Sequence, residues 1–201
     1  FDLYIFPCFN NSPITNVPIL IREEQPSKFI YNQINSSEVT ILQGPPGTGK
    51  TQLIAELCTK LCSEGKSVLI TALTNRALME VASKKVVGEL LKQGNIYKSN
   101  LTVDEQNELP KLIPLKQILP IKGALVMATY YVVSSFAANL SDEGVFDVVI
   151  MDEASQALLA MFAASNKIGK RKLWVGDTAQ LGPVLSLNDN RVKSNLFNDF
   201  I

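Results

Sequence analysis

Short apolar runs alternate with amphipathic stretches along most of this chain, the pattern of strands feeding helices. Val39-Thr40-Ile41-Leu42 is a compact strand-type run, and after it Leu53, Leu57 and Leu61 recur at the spacing of one helical face, predicting a helix over 50–63. The alternation then repeats. Strands are expected at 67–72, 124–128, 147–151 and 172–175, and helices at 27–34, 76–92, 130–139 and 155–165, with Gly94 as the stop of the helix at 76–92. The strand runs are continuously apolar rather than alternating, as expected when helices cover both faces of a parallel sheet. The pattern predicts one three-layer α/β domain with a mostly parallel central sheet.

Two stretches fall outside this rhythm. Residues 1–26 hold Pro7, Pro13, Pro18 and Pro26 and are expected to be a lead-in with extended pieces at 3–6 and 19–21, leaving 27–201 as the domain proper. Residues 95–122, with Pro110, Pro114, Pro120 and scattered charges, are expected to form a short, irregular surface insertion.

Composition narrows the picture only a little. A chain of 201 residues that is 46% hydrophobic can bury a substantial core in one large domain. Its 19 basic residues balance 19 acidic ones, so net charge neither demands nor excludes a polyanionic partner. Any nucleic-acid reading must come from motifs. There is no His, and Cys8, Cys58 and Cys62 are too few for a structural zinc site; they are expected to pack as small apolar groups in a reducing, intracellular setting. No apolar run reaches membrane-spanning length, and the apolar start lacks the basic flank of a signal peptide, so no membrane partner is expected. The chain begins without Met and is expected to be a piece of a longer protein.

Three stretches carry chemistry. Gly44-Pro45-Pro46-Gly47-Thr48-Gly49-Lys50-Thr51 satisfies G-x-x-x-x-G-K-[ST] between a predicted strand and a predicted helix. Glycines there let successive backbone N–H groups curl around a polyphosphate, and the helix start adds its positive dipole end. Lys50 would supply charge to the β and γ phosphates, and the Thr51 hydroxyl could ligate Mg²⁺. Next, Val148-Val149-Ile150-Met151 runs into Asp152-Glu153, placing two acids at the carboxyl edge of the sheet, where open α/β folds bind ligands. Asp152 is suited to hold Mg²⁺ and Glu153 to take a proton from water; the alternative is a helix start enriched in acids. Finally, Leu173-Trp174-Val175 leads into Gly176-Asp177-Thr178-Ala179-Gln180 at the same edge, where Gln180 has the reach to contact a γ phosphate or a lytic water.

In order and spacing these stretches resemble motifs I, II and III of superfamily 1 helicases, whose core is a three-layer RecA-like P-loop domain. Asp152 to Ala157 reads DEASQA and Gly176 to Val184 reads GDTAQLGPV. The DEASQ spelling is most similar to the branch holding the nonsense-mediated-decay RNA helicase and its DNA-acting relatives. Thr71 to Ala77 resembles motif Ia, and Val126 to Tyr130 the strand-to-loop motif after it.

The resemblance implies an ATP- and Mg²⁺-dependent enzyme that moves on, or unwinds, DNA or RNA. It makes Lys50, Thr51, Asp152, Glu153 and Gln180 the hydrolysis set and puts Thr74, Asn75 and Thr129 against the backbone of a single strand. For Thr74 and Asn75 a helix cap is the competing reading. The family's adenine-contacting Gln has Gln25 as its nearest counterpart here, at a different spacing. The resemblance also implies a second RecA-like domain with arginine fingers, whose motifs are expected beyond Ile201. Two other readings compete: a P-loop switch or motor acting on protein partners, and a nucleotide-binding module without turnover.

Overall fold

The computed structural model of the chain describes residues 3–8, 19–20, 26–180, 182 and 195–200. Its elements, in order, are β1 (Tyr4–Cys8), β2 (Ile19–Leu20), α1 (Pro26–Ser36), β3 (Val39–Gln43), α2 (Lys50–Ser63), β4 (Val68–Ala72) and α3 (Asn75–Ala82). There follow α4 (Gly88–Lys92), β5 (Ile96–Ser99), α5 (Val103–Glu108), β6 (Ile113–Leu115), β7 (Leu125–Thr129) and α6 (Tyr130–Ala138). Last come β8 (Phe146–Met151), α7 (Leu159–Ile168), β9 (Gly169–Gly176) and α8 (Leu196–Phe200).

The strands form one nine-stranded sheet in the order β2-β1-β3-β9-β8-β4-β7-β5-β6. From β3 to β6 every pairing is parallel, while β1 runs antiparallel to both β3 and β2. Neighbouring residues of one strand face different layers. In β4, Val68 and Ile70 join Leu53, Leu57, Leu61 and Leu78 of α2 and α3, whereas Leu69 joins Val133, Ala164 and Ile168 of α6 and α7. Helices therefore cover both faces, which is why the strand runs carry no polar alternation. The three-layer α/β expectation holds.

Several local expectations need correction. The segment 95–122 is not an irregular insertion: β5 and β6 extend the parallel sheet, Ile96 pairing with Leu125 and Tyr97 with Ile113. A buried cation secures this edge. Lys98 is wholly enclosed and its Nζ donates to Glu105 Oε2 and Asn75 Oδ1, each at 3.0 Å. A lysine and three prolines hid a strand pair whose order is set by tertiary bonds. The lead-in also joins the sheet, since β1 pairs with β3 along its length.

The helix expected over 76–92 breaks after Ala82 into a 3-10 turn at Lys85–Val87 and then α4. The break lets Val87 enter the core while the Thr59 hydroxyl of α2 donates to the Val86 carbonyl at 3.3 Å. The helix expected over 155–165 starts later, because Ala154–Gln156 is a separate 3-10 turn before α7. Of the cysteines, Cys58 and Cys62 are free and buried, as expected of core thiols, and burial pushes Cys62 up to about 12.

The entry ends of the central strands are held by one carboxylate. Asp147 at the start of β8 accepts from the Ser67 N–H and hydroxyl, both at 3.0 Å, and from Lys170 Nζ at 2.9 Å. Burial raises the carboxyl, but those donors outweigh it and bring it down to about 2. A depressed carboxylate stabilises the fold above its unfolded value of 3.8 and loses that contribution as pH falls toward 2. We expect Asp147→Asn to lower stability at neutral pH by roughly 1–2 kcal/mol. Urea titrations of both proteins from pH 7 to pH 2 should show the gap closing only below about pH 4. A gap that is constant with pH contradicts this account.

Candidate functional site

The parallel register sets the ends of β3, β9 and β8 side by side at one edge. The loop 44–49 leaves β3 there and turns into α2. Gly47 and Gly49 sit at φ 81° and 82°, the left-handed region that lets the loop N–H groups face inward, and Gly49 is the residue from which α2 starts. The Thr48 hydroxyl donates to Pro45 O at 2.8 Å, closing the loop on itself. Lys50 curls back, and its Nζ donates to Pro45 O at 2.9 Å and to Gly44 O. The ammonium is spending its donors on the loop's own carbonyls, positions a phosphate group could take over. Burial lowers its pKa, while Asp177 and Asp152 oppose that.

Across the cleft, the Asp152 N–H donates to Thr71 O at 2.9 Å, carrying the β8–β4 ladder up to the acidic pair. Asp152 is almost wholly buried; its Oδ1 accepts from the Glu153 N–H at 2.9 Å, and the Tyr130 hydroxyl holds its carbonyl. Burial, with the nearby Glu153 charge, pushes its carboxyl up to about 6. Glu153 has φ 58° and ψ 36°, a left-handed conformation uncommon for a residue with a Cβ. Burial and then Glu80 raise its carboxyl, and Oε2 is enclosed with no hydrogen-bond partner among the described residues. Glu153 stands at the start of the turn that follows, and its side chain makes no cap bond to it. Such local strain and unmet polarity gather at working sites.

Gln180 completes the constellation, its Oε1 accepting from Gln156 Nε2 at 3.4 Å. Asp177 is buried, with Oδ1 accepting from the Ala179 N–H at 3.0 Å and Oδ2 left unpartnered among the described residues. Gly47, Lys50, Thr51, Asp152, Glu153 and Gln180 all line one cleft of about 370 Å³. Sequence reasoning missed further lining residues, among them Glu80 of α3 and Lys84 just past its end. They form an ion pair at 3.2 Å one helical turn apart, which in sequence looks like any solvated helix pair. The donor set fits a magnesium–polyphosphate: glycine-opened N–H groups and a lysine face Asp152, Glu153 and Asp177, and Glu153 Oε2 and Asp177 Oδ2 have no partner among the described residues.

The three candidate strand contacts lie at the same edge but outside this cleft. Thr74 caps α3, its hydroxyl accepting from the Ala77 N–H at 3.2 Å, so the capping reading holds for it. Asn75 Oδ1 is taken by Lys98. Thr129 precedes α6 without a side-chain cap bond, and Ala72 and Thr129 are register partners. Gln25 lies outside the described residues, as do Leu181 and the residues from 183 to 194. Among the described residues no cluster of three His, Cys, Asp or Glu could hold a metal by itself, and no helix is long and apolar enough to cross a membrane.

A glycine-opened phosphate loop, an acidic pair on the central strand and a glutamine from the adjoining strand define a RecA-like P-loop domain of the superfamily 1 helicase type. Residues 22–186 match the family model described as "AAA domain", and the chain belongs to that family. Among curated proteins it is 31% identical over 180 residues to "DNA replication ATP-dependent helicase/nuclease DNA2" of Saccharomyces cerevisiae, a match covering 83% of this chain. It is 28% identical over 189 residues to "Regulator of nonsense transcripts 1" of Caenorhabditis elegans, covering 76% of this chain. The chain spans 11% of the length of the first relative and 18% of the second. The fold is shared with the LlaGI Type ISP restriction-modification enzyme, solved in complex with a DNA substrate mimic. That likeness has a TM-score of 0.53 and 16% identity, and covers 86% of this chain and 19% of the other. The branch suggested by the DEASQ spelling is therefore represented among its relatives, by a regulator of nonsense transcripts and by a DNA replication helicase/nuclease.

The cap at Thr74 can be separated from any role on a strand. Thr74→Ala should cost about 1 kcal/mol of stability and Thr74→Ser almost none, the usual worth of a lost hydroxyl cap. Chemical unfolding of the three proteins reads this; equal stability of Thr74→Ala and the parent would remove the cap assignment.

Proposed function

We propose that this domain binds and hydrolyses MgATP in an enzyme that uses the energy to move along a single strand of DNA or RNA or to unwind a duplex. The observation that carries the reading is the convergence of Lys50, Thr51, Asp152, Glu153 and Gln180 on one cleft. It is supported by the names of the relatives, which describe ATP-dependent helicases and a regulator of nonsense transcripts.

In this reading the N–H groups of 47–51 hold the polyphosphate, since Pro45 and Pro46 have none and that of Gly44 is bonded to Gly176 O, and Lys50 transfers its donors from the Gly44 and Pro45 carbonyls to the phosphates. The Thr51 hydroxyl and Asp152 would hold Mg²⁺. The bound ion supplies charge neutralisation along the phosphates. Glu153, whose Oε2 is enclosed without a partner among the described residues, accepts the proton of the attacking water, and Gln180 orients that water against the γ phosphate. Asp177 anchors the loop that carries Gln180. Charge developing at the γ phosphate is met by arginines from a second RecA-like domain over the open side of the cleft; among the described residues no arginine lines it. Thr74, Asn75 and Thr129 touch the backbone of the strand, positioning it without reading its sequence. Residues 27–201 carry the working site, and β1 of the segment 1–26 extends its sheet beside β3.

Two outcomes are expected. Calorimetric titration should give Mg²⁺-dependent ADP or ATP binding that Lys50→Ala weakens strongly; equal binding by the variant would sink the phosphate-loop assignment. In the intact protein, Glu153→Gln should leave nucleotide affinity nearly intact while cutting turnover about 10²-fold or more, the usual size of a general-base contribution. Turnover should rise on addition of single-stranded DNA or RNA, and whichever strand stimulates identifies the substrate. Unchanged turnover in Glu153→Gln would mean that water is activated elsewhere.

A further inference from the structure

The turn after the acidic pair is too short to hold itself. Ala154–Gln156 is a single 3-10 turn of three residues, and Ala154, Ser155 and Ala157 are wholly enclosed. Within the turn the Gln156 N–H donates to Glu153 O at 2.9 Å and the Ala157 N–H to Ala154 O at 3.1 Å, so the Ser155 and Ala157 carbonyls must find partners elsewhere. One side chain from much later in the sequence answers them. Asn195 Nδ2 donates to Ala157 O at 2.6 Å, Ser155 O at 3.0 Å and Ala154 O at 3.1 Å. Its Oδ1 accepts from the Asn198 N–H at 3.1 Å, which fixes the orientation of the amide at the start of α8.

The same segment also reaches β9. A Cβ on Gly176 would lie 2.9 Å from Phe197 Cζ and 2.9 Å from the Ser155 nitrogen, so ring, turn and strand end are in direct contact. Asp177 is tied in too, its N–H donating to Ser155 Oγ at 3.4 Å. The Asn195 segment therefore grips the turn after Glu153 and the start of the loop carrying Gln180.

We infer that Asn195 is a positioning residue for ATP hydrolysis, holding the 154–157 turn so that Glu153 keeps the left-handed conformation that directs its carboxylate into the phosphate cleft. Glu153 is the residue on which the 3-10 turn begins, so releasing the turn's carbonyls lets its φ relax toward the ordinary helical or extended regions. The residue type matters. An amide offers two hydrogens to the carbonyls and an oxygen to α8, whereas a hydroxyl has one hydrogen and a carboxylate none.

This inference rests on the proposed role of Glu153, so the experiment reads the two separately. In the intact protein, turnover and MgADP affinity are measured for the parent, Glu153→Gln, Asn195→Asp and the double variant. Asn195→Asp keeps the shape and turns the donor into a carboxylate facing three carbonyls. We expect turnover to fall by about tenfold to a hundredfold, the scale of a misplaced catalytic group, with MgADP affinity within about twofold. In the Glu153→Gln background the same substitution should cost almost nothing more, because it acts through a base already removed.

If Glu153→Gln turns over normally, the proposed base fails and the Asn195 role falls with it. If Glu153→Gln is slow while Asn195→Asp matches the parent, or the two losses multiply, the Asn195 inference alone is overturned. A parallel loss of MgADP affinity marks general disruption and overturns it too. Should Asn195→Asp not fold, Asn195→Ser keeps one donor and should give a smaller loss, again absent in the Glu153→Gln background.

Discussion

The site depends on the parallel hydrogen-bonded ladder that joins β3, β9 and β8. Thr40, Ile41 and Leu42 pair with Leu173, Trp174 and Val175, and Val149, Ile150 and Met151 pair with Lys172, Leu173 and Trp174. Because the three strands run the same way, three loops distant in sequence leave the sheet at one edge. The ladder continues one step past the strands, with the Gly44 N–H donating to Gly176 O at 3.1 Å. That bond sets the first residue of the phosphate loop beside the first residue of the Gln180 loop. A slip of one residue would exchange the faces of Leu42 and Ile41 and move the acids away from the lysine.

The cleft built this way stores unmet charge. Lys50 bends onto its own loop, Asp152 is raised by burial, and Glu153 and Asp177 each keep an enclosed oxygen without a partner among the described residues. None of these arrangements favours the fold by itself, since buried polar groups are costly unless bonded. They are tolerated because the core on both faces of the sheet is large, and they are what a magnesium–polyphosphate would satisfy. The Asn195 amide belongs to the same logic: a strained acid needs its turn held from outside.

The far edge of the sheet is organised differently. Lys98 binds Asn75 at the start of α3 to Glu105 in α5, and burial of Glu105 is outweighed by the Thr102 N–H and Lys98, which keep its carboxyl below its usual range. This enclosed pair links the residue expected to face a strand to the segment that adds β5 and β6. A buried ion pair of this kind contributes little net stability, but loss of one partner strands the other. It also takes the Asn75 oxygen, leaving the amide N–H₂ as the group that side chain can offer outward.

Alternation of apolar runs with helical faces determined the layer architecture, because a strand covered on both sides can hold only apolar residues. Gly47, Gly49, Lys50 and Thr51 were legible for a related reason: a loop that wraps a polyphosphate needs residue types at fixed local spacing, and local spacing is what a sequence displays. Asp152, Glu153 and Gln180 could be read once their order matched that of a known family. What the sequence could not display was anything fixed by contact across the fold. The strand pair at 95–122 depends on neighbours in β7 and on the enclosed Lys98, and a lysine in a strand gives no local sign of a buried partner. Glu80 and Lys84 reach the cleft only because α3 packs beside α2. Nor does an isolated asparagine at 195 announce three carbonyls that lie 38 to 41 residues away along the chain and within hydrogen-bond reach in space. Residue type and spacing decided which groups could do the chemistry; the parallel ladder and the packing upon it decided which of them meet.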